Sequence, residues 1–505
     1  MLKDTVILFY PIAAKNEKSW YIPYPLLHLE RAIRYLKLNV ILIDENVTQD
    51  YIPIIDAVKD RILIAGVSSV TGYQIFGGIE FSEKIKSFSK DNIVIWGGWH
   101  TTFLAEDTIK EDFIDIVIIG QSELTFPLLL EKIIKGEDYS DIKGIGSKKN
   151  NQIIINPNDD FCDIKHLPRI NYDLIDLNNY IFKTDFSNRR LMYMTSYGCP
   201  NKCPFCSGAA VFKGRWYPGI IENTIEDLKY FKEHADIDSI LMWDDNFFSN
   251  RDYPIKLCKA MIDANLGLSF DTSSHSGRFL KLFNDEDVDL FYKAGFRKLG
   301  TGSESGKQEV LDIVKEKLTV DDNLNVVKMM KRHKILTFWA TMIGLPIGNG
   351  DDIMDTFNMI RKGKLIDRRL KVHITYYTPF PGTILYQMAI DKGFIPFKKL
   401  KEWGDHSLFY FRPTWLKKDY ERELRNFMNF YLPVFDPDTA IFCPDTFKKT
   451  MWVFQKLWFP VLYLRFKLNF FKWAFDANLF FYLLKKHNIK HNTHLMFFAF
   501  GVNGA

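Results

Sequence analysis

Three cysteines stand close together in one short segment of the chain, Cys199, Cys203 and Cys206. Their CxxxCxxC spacing suits a [4Fe–4S] cluster, whose irons are normally held by four cysteine thiolates. Because no fourth cysteine is near in sequence, one iron would stay open to bind a small molecule. Pro200 and Pro204 keep the segment out of a helix, so that it can wrap around a cluster. The alternative is a set of buried or zinc-binding cysteines, but structural zinc sites use CxxC pairs.

The composition is that of a globular protein with several domains. The chain has 505 residues, 47% hydrophobic and 25% charged, so we expect about two to four domains. Its net charge of +4, from 66 basic and 62 acidic residues, is too balanced to indicate a nucleic-acid partner. The six cysteines include one clustered triad, which favours a reducing cytoplasm over a disulfide framework. The N-terminus has no cleavable signal pattern, and no apolar run reaches transmembrane length.

The first 140 residues alternate between short apolar strands and helices. The strand candidates are residues 6–10, 40–43, 62–68, 93–96 and 116–119. Continuous apolar strands that alternate with helices predict a parallel, doubly wound, Rossmann-like sheet. Ligands of such sheets bind at the carboxyl ends of the strands.

Small and polar residues follow three of these strands, in the segments 66–72, 97–102 and 120–123. Glycines at successive strand ends let a large, flat or phosphate-bearing ligand approach the backbone. From composition alone, a nucleotide, a flavin and a corrin all remain open as the ligand.

A second repeating pattern begins near residue 191, after a polar stretch (141–190) that we interpret as a linker with a small hairpin. It predicts a partial (β/α)6 barrel of the TIM type, with the cysteine loop directly after its first strand. The strand candidates are residues 191–196, 239–243, 268–273, 298–301, 336–342 and 371–377. Active-site residues of such barrels lie at the carboxyl ends of the strands.

The cysteine loop, with the aromatic Phe205 before its last cysteine, resembles the signature of the radical S-adenosylmethionine (SAM) superfamily. The resemblance continues at later strand ends. Residues 242–247 stand where the family has a Gly-Gly-Glu-like turn, 302–306 resemble its G-x-E-S-G element, and 344–346 resemble its adenine cradle. A turn at 378–383 is similar to one found in cobalamin-dependent members.

This resemblance implies SAM contacts for particular residues. Asp245, with Asp244 close behind, would accept hydrogen bonds from the SAM ammonium group. Glu304 would bind the ribose hydroxyls, and Gly344 and Pro346 would hold the adenine. The alternatives are a solvated acidic turn at 244–245 and a helix N-cap at 304–305.

The first domain carries a second resemblance. Its SxxTG-type turn, GGxHxT loop and GxSE turn are similar to the cobalamin-binding domain that precedes many radical SAM domains. The chain has no Asp-x-His-x-x-Gly motif, so the resemblance implies base-off cobalamin without a protein histidine on cobalt, and His100 as a pocket residue. The implied cobalamin contacts are Ser68, Ser69, Thr71, Gly97, Gly98, His100, Gly120 and Glu123. A flavodoxin-like domain without a cofactor is the alternative.

The family resemblance also implies a reaction. A reduced cluster gives one electron to SAM, and the resulting 5′-deoxyadenosyl radical removes hydrogen from an unactivated carbon, a step carried by cofactors. Cobalamin then supplies a methyl group that comes from a second SAM. We expect a methyltransferase for a small or lipid-like substrate, with flavodoxin or ferredoxin as electron donor. The alternatives are an oxidative cyclase of the anaerobic magnesium-protoporphyrin ester type, a rearrangement enzyme, and a degenerate cofactor-binding partner protein.

The last part of the chain, residues 401–505, is predicted to be helical and interleaves aromatic residues with cations. One interpretation is a helix that lies on a membrane surface. The other is a helical cap that packs its aromatic face over the barrel mouth. We therefore expect a cytoplasmic protein of four parts (1–140, 141–190, 191–400 and 401–505), with peripheral membrane contact under the first interpretation and no nucleic-acid partner.

Overall fold

The computed structural model describes residues 3–14, 20–150, 152–158, 160–184, 186–348, 352–407, 411–416, 421–437, 445–471 and 473–491. These residues form a Rossmann-like sheet, a six-stranded parallel half-barrel and a helical C-terminal region, which confirms the predicted fold class.

The first domain is built on a seven-stranded sheet with the order β2-β1-β3-β4-β5-β6-β7. The first five strands are parallel, in the order of doubly wound flavodoxin-like sheets, and the antiparallel hairpin β6–β7 extends the edge at β5. The strands are β1 Thr5–Tyr10, β2 Asn39–Asp44, β3 Ile62–Ser68, β4 Ile93–Gly97, β5 Ile116–Ile118, β6 Ile145–Lys149 and β7 Gln152–Ile155. The helices are α1 Tyr24–Ile33, α2 Ile52–Ala57, α3 Gln74–Phe88, α4 Trp99–Phe103, α5 Ala105–Ile109 and α6 Ser122–Lys135.

Both faces of this sheet are covered, because successive side chains of a strand point to opposite faces. On β1, Ile7 and Phe9 enter a core with α3 and α5, while Val6 and Leu8 enter a second core with α1 and α6. This double burial explains why the strands are continuous apolar runs in the sequence.

The second domain is a half-barrel whose six parallel strands follow chain order, β8-β11-β12-β13-β14-β15. The small antiparallel pair β9–β10 lies beside the first of them. The strands are β8 Arg190–Tyr193, β9 Ser196–Gly198, β10 Trp216–Pro218, β11 Ser239–Met242, β12 Ser269–Ser274, β13 Phe296–Glu304, β14 Leu336–Ile343 and β15 Lys371–Tyr376. The helices are α7 Ser207–Phe212, α8 Ile221–Ala235, α9 Asp252–Asp263, α10 Ser276–Leu282, α11 Asp285–Ala294, α12 Gln308–Val314, α13 Val320–Arg332, α14 Asp352–Ile366 and α15 Ile384–Asp391.

The C-terminal helices pack against α14 and the last two strands of the barrel. Their buried aromatic residues, among them Phe435, Phe466 and Phe480, share one core with Trp339 of β14 and Phe357 of α14. The helices are α16 Glu421–Asn426, α17 Leu432–Phe435, α18 Asp445–Leu457, α19 Phe459–Leu468 and α20 Phe475–His491. Among the described residues, no helix is both long enough and apolar enough to cross a membrane.

The two α/β domains are joined through packed side chains. Leu400 and Trp403, which follow the barrel, are buried in the core of the first domain. Gly382, in the loop after β15, has a backbone φ of +79°, and an added Cβ there would overlap the Phe103 ring of α4. The barrel therefore meets the first domain through a contact that only glycine allows.

We expect Gly382→Ala to destabilise the protein by about 1–3 kcal/mol more than Gly393→Ala, measured by thermal unfolding. Both glycines have positive φ, so both variants carry the backbone penalty of about 1 kcal/mol. Nothing lies within 4 Å of the Cβ position at Gly393, so only Gly382→Ala adds overpacking against Phe103. Equal effects of the two substitutions would contradict this tight domain contact.

Candidate functional site

A cavity of 420 Å³ lies between the carboxyl edge of the first sheet and the start of the barrel. Both domains contribute to its wall. Of the residues predicted from the sequence, the wall contains Ser68, Ser69, Gly97, Gly98, Gly120, Glu123 and Asp245. The three strand ends predicted to share a ligand do therefore converge on one space.

Two adjacent glycines of this wall have different reasons to be glycine. An added Cβ on Gly98, whose φ is +100°, would collide with the carbonyl oxygen of Ser69. An added Cβ on Gly97 would have nothing closer than 3.9 Å. Gly98 is thus required by backbone packing, whereas the space in front of Gly97 is open to a ligand.

Thr71 and His100 are not among the residues that line the cavity. The Thr71 hydroxyl lies 3.0 Å from Nδ1 of His100, and the His100 ring meets Trp403 edge-on. Burial lowers the pKa of His100 to about 3, so the imidazole is neutral at ordinary pH. In this structure the two residues tie the strand ends to the segment that follows the barrel.

Several aromatic residues line the cavity without having been predicted from the sequence. Tyr21 and Trp243 come from different domains, and their ring centroids are 5.2 Å apart. Trp99 also faces the cavity, and its ring edge lies 3.9 Å from the Cβ position of Gly208. These segments become neighbours only when the domains dock, so the spacing of the residues in the sequence could not predict their contact.

A hydrogen-bonded chain crosses the domain boundary at the cavity wall. Nδ1 of His28 lies 3.1 Å from Glu123 and 3.0 Å from the Arg31 guanidinium, and Nε2 lies 2.6 Å from the Tyr197 hydroxyl. Burial and the charge of Arg31 lower the pKa of His28. Tyr197 is two residues before Cys199, so this chain connects the cavity wall to the start of the cysteine loop.

The cysteine loop runs from β9 to α7, and its three thiols are half-buried. Burial raises the pKa of each, that of Cys203 to about 12, so deprotonation has to be coupled to metal binding. In the part of the chain that the structure describes, no three His, Cys, Asp or Glu side chains are grouped to hold a single metal ion. A cluster places each thiolate on a separate iron, and a half-buried loop with three thiol donors fits that requirement.

The other cysteines lie apart from this loop. Cys162 and Cys258 are buried, the latter on the core face of α9, and Cys443 lies outside the described residues. Within the described chain, the loop therefore has three cysteine ligands to offer.

Asp245 faces the loop, while its neighbour Asp244 does not. Asp245 accepts a hydrogen bond of 2.8 Å from the Gly198 backbone N–H, and burial raises its pKa. The Cβ position of Gly208 lies 3.6 Å from the Asp245 carboxylate and 3.5 Å from Sγ of Cys206. Asp244 is instead held by Thr195 and Ser196, and burial raises its pKa to about 6.

Glu304 is the end of β13 and has a left-handed backbone with φ of +53°. Its buried carboxylate pairs with Nζ of Lys315 at 2.8 Å, and Lys315 also donates to the carbonyl of Gly302 at 2.7 Å. An added Cβ on Gly302 would overlap both charged groups. The sequence indicated Glu304 but not Lys315, because nothing in the sequence around Lys315 shows that this lysine side chain is buried.

Burial alone would lower the pKa of Lys315, but nearby Glu304, Cys203 and Cys199 raise it above its usual value. Lys315 is therefore a buried cation that Glu304 holds beside the cysteine loop. The loop's Phe205 packs against the same apolar cluster as Val314, the residue before Lys315.

The predicted adenine cradle lies under the C-terminal region. Gly344 has a φ of +71°, and its carbonyl accepts a hydrogen bond of 3.0 Å from the indole of Trp415. Pro346 is buried beside Leu345, which belongs to the cluster that Phe205 contacts. The cradle and the cysteine loop thus meet through one apolar cluster.

The chain is similar to several known proteins. Residues 193–360 match the radical SAM superfamily. The chain is 27% identical over 380 residues to an uncharacterized methyltransferase of Pyrococcus horikoshii, covering 70% of this chain and 80% of the relative. It is 23% identical over 350 residues to the anaerobic magnesium-protoporphyrin IX monomethyl ester cyclase of Rubrivivax gelatinosus, covering 67% of this chain and 61% of the cyclase.

Two solved structures share the fold across both domains. OxsB, a cobalamin-dependent SAM radical enzyme solved with aqua-cobalamin and SAM bound, has a TM-score of 0.73 at 15% identity, covering 99% of this chain and 77% of OxsB. TsrM of Kitasatospora setae, a radical SAM methyltransferase solved with cobalamin and a [4Fe–4S] cluster, has a TM-score of 0.63 at 16% identity, covering 77% of this chain and 78% of TsrM.

Replacing Lys315 with Met is expected to lower protein stability by roughly 3–5 kcal/mol, because it leaves the Glu304 carboxylate buried without its cation. Thermal and denaturant unfolding of the purified protein would measure this loss of stability. Lys317→Met is the matched control, since that side chain is 84% exposed and should have no measurable effect.

The double variant Lys315→Met with Glu304→Gln should recover part of the lost stability, because the unpaired charge is gone. If Lys315→Met unfolds at the same temperature as Lys317→Met, the Glu304–Lys315 ion pair does not stabilise the folded protein as expected.

Proposed function

We propose that this chain, whose residues 193–360 form a radical SAM domain, is a cobalamin-dependent radical SAM enzyme that methylates an unactivated carbon. The observation that carries the proposal is the shared wall between the cavity and the cysteine loop. Asp245 lines the cavity and, with Trp99 and Cys206, surrounds Gly208. A group bound in the cavity would therefore be adjacent to one bound on the loop.

On the loop side, Cys199, Cys203 and Cys206 would ligate a [4Fe–4S] cluster, and SAM would bind beside it. Together with SAM, such a cluster supplies the 5′-deoxyadenosyl radical that removes hydrogen from carbon. We assign the SAM contacts to Phe205, Asp245, Glu304, Gly344 and Pro346. Asp245 is well placed to accept from an ammonium group, because its carboxylate already faces the loop.

On the cavity side, Ser68, Ser69, Gly97, Gly98, Gly120 and Glu123 would hold cobalamin at the strand ends. Support comes from the open space at Gly97, and from the cobalamin that the two similar structures contain. Thr71 and His100 would support this wall from behind, since neither lines the cavity.

The substrate would be a small, largely apolar molecule. The exposed rings of Tyr21, Trp99 and Trp243 face the cavity and offer apolar surface for it. A one-electron donor of the flavodoxin or ferredoxin kind would reduce the cluster, and the protein would act in the cytoplasm. Nothing in this proposal requires a nucleic acid.

Oxidative cyclisation is the second candidate, because the chain resembles the magnesium-protoporphyrin cyclase over 350 residues. Both reactions begin with hydrogen removal by the same radical. They differ in whether a methyl group is consumed, so the products of SAM distinguish them.

When the protein is reconstituted anaerobically with cluster and cobalamin and given SAM and a reductant, we expect both 5′-deoxyadenosine and S-adenosylhomocysteine, quantified by chromatography. The first product reports radical formation and the second reports methylation of cobalamin. 5′-Deoxyadenosine alone would favour cyclisation or rearrangement.

The control for this assay is Cys203→Ala, which removes one of three cluster ligands and should abolish 5′-deoxyadenosine formation. Full product formation by Cys203→Ala would rule out radical SAM chemistry at this loop. If intact, cluster-loaded wild-type protein forms neither product, the chain would instead be a cofactor-binding partner protein without this activity.

Side chains of increasing size at position 97 should progressively exclude cobalamin. Gly97→Ala is expected to retain cobalamin. Gly97→Phe is expected to retain at least tenfold less, because the new ring would enter the open space of the cavity. The measurement is corrin absorbance that remains after hydroxocobalamin loading and desalting, with circular dichroism as the folding control. Equal retention by both variants would place the corrin elsewhere.

A further inference from the structure

The C-terminal helices have a second face that does not pack against the barrel. Its apolar side chains are largely exposed, with Leu457 at 71%, Leu468 at 69% and Trp473 at 74% of their full accessible surface. We call it the C-terminal apolar face. Its members are Leu457, Val461, Leu464, Leu468, Phe470, Trp473 and Phe475.

These residues follow the geometry of one helix side and the turn after it. Val461, Leu464 and Leu468 stand three and four residues apart on α19, which places them along one stripe. Leu462 and Phe466 of the same helix are fully buried in the core with α14. Helix α19 therefore buries one apolar side in the core and exposes another apolar side to solvent.

The turn between α19 and α20 continues the exposed surface. Phe470 and Trp473 have ring centroids 6.0 Å apart. The guanidinium of Arg465 lies over the rings of Phe470 and Phe475. Exposed apolar side chains grouped in this way mark an interaction site in a folded protein.

The exposed charged side chains described along this part of the chain all have one sign. The exposed charged side chains described between residues 447 and 490 are Lys448, Lys449, Lys456, Lys467, Lys485, Lys486 and Lys490. The acid described in this range, Asp476, is fully buried and paired with Nε of Arg465 at 2.9 Å. Lys456 precedes Leu457, and Lys467 precedes Leu468, so cations border the apolar stripe directly.

We propose that the C-terminal apolar face docks on a membrane surface that contains anionic lipids. The leucines and aromatic rings would enter the boundary between headgroups and acyl chains, and the lysines would contact lipid phosphates and carboxylates. Each lysine near an anionic surface adds to the electrostatic attraction, and the burial of the apolar side chains adds to the binding. A nucleic acid would use the lysines but would leave the aliphatic stripe in water, so it fits this face less well.

The test is sedimentation of the cofactor-loaded, full-length protein with vesicles of phosphatidylcholine, with and without phosphatidylserine. Binding is expected to the anionic vesicles and to weaken with added salt. Leu464→Glu with Leu468→Glu should reduce binding roughly tenfold or more. Ile395→Glu, at a site 79% exposed but remote in sequence from this face, is the matched control and should bind like wild type.

A second pair, Lys456→Glu with Lys467→Glu, should reduce binding to anionic vesicles and remove most of its salt dependence. The proposal is overturned if wild type does not bind these vesicles, or if the leucine variant binds as well as wild type. Two further results would also overturn it: self-association that the leucine variant abolishes in light scattering, and binding to polyuridylic acid in place of vesicles. Because the readout does not involve SAM, its failure would be distinct from a failure of the proposed activity.

Discussion

The arrangement depends on one constraint, which is that the carboxyl ends of two parallel sheets point toward one shared cavity. The first five strands of one sheet and all six strands of the half-barrel are parallel, so the polar loops that follow them gather at one edge of each sheet. The domain contact then brings the two edges together. Gly382 packs on Phe103, and Trp403 is buried in the first domain's core, so the two α/β domains meet as packed parts of one unit. Asp245 faces the cysteine loop within the barrel, and the docking of the first domain places the same residue in the cavity wall.

Two sets of buried charged side chains near that shared edge are paired with opposite charges. Lys315 lies between Glu304 and the cysteine loop, and the pKa of Lys315 is raised by these neighbours despite its burial. On the cavity side, Arg31 and Glu123 flank His28. An anionic cluster and SAM would therefore enter a region in which Lys315, Glu304, His28 and Glu123 are already held in fixed pairs, which limits the reorganisation that binding requires.

Much of the fold could be predicted because it rests on local patterns. The strand predicted at 62–68 is observed as Ile62–Ser68, since a strand buried on both faces must be a continuous apolar run. The partner of Glu304 could not be predicted, because the burial of Lys315 depends on how α12 packs. The aromatic part of the cavity wall could not be predicted either, because Tyr21 and Trp243 come together from distant segments of the chain. The aromatic residues of the C-terminal region lie on different faces of the same helices: one face packs against α14 and the last two strands, and the other is the face proposed above to dock on a membrane.

The most direct test of the shared wall is electron paramagnetic resonance of protein loaded with both cobalamin and cluster. The cob(II)alamin signal would be recorded with the cluster oxidised and then reduced. If the two groups occupy adjacent sites across Asp245 and Gly208, reducing the cluster will broaden the cob(II)alamin signal and speed its relaxation. A cob(II)alamin signal that is identical in both cluster states would contradict the account.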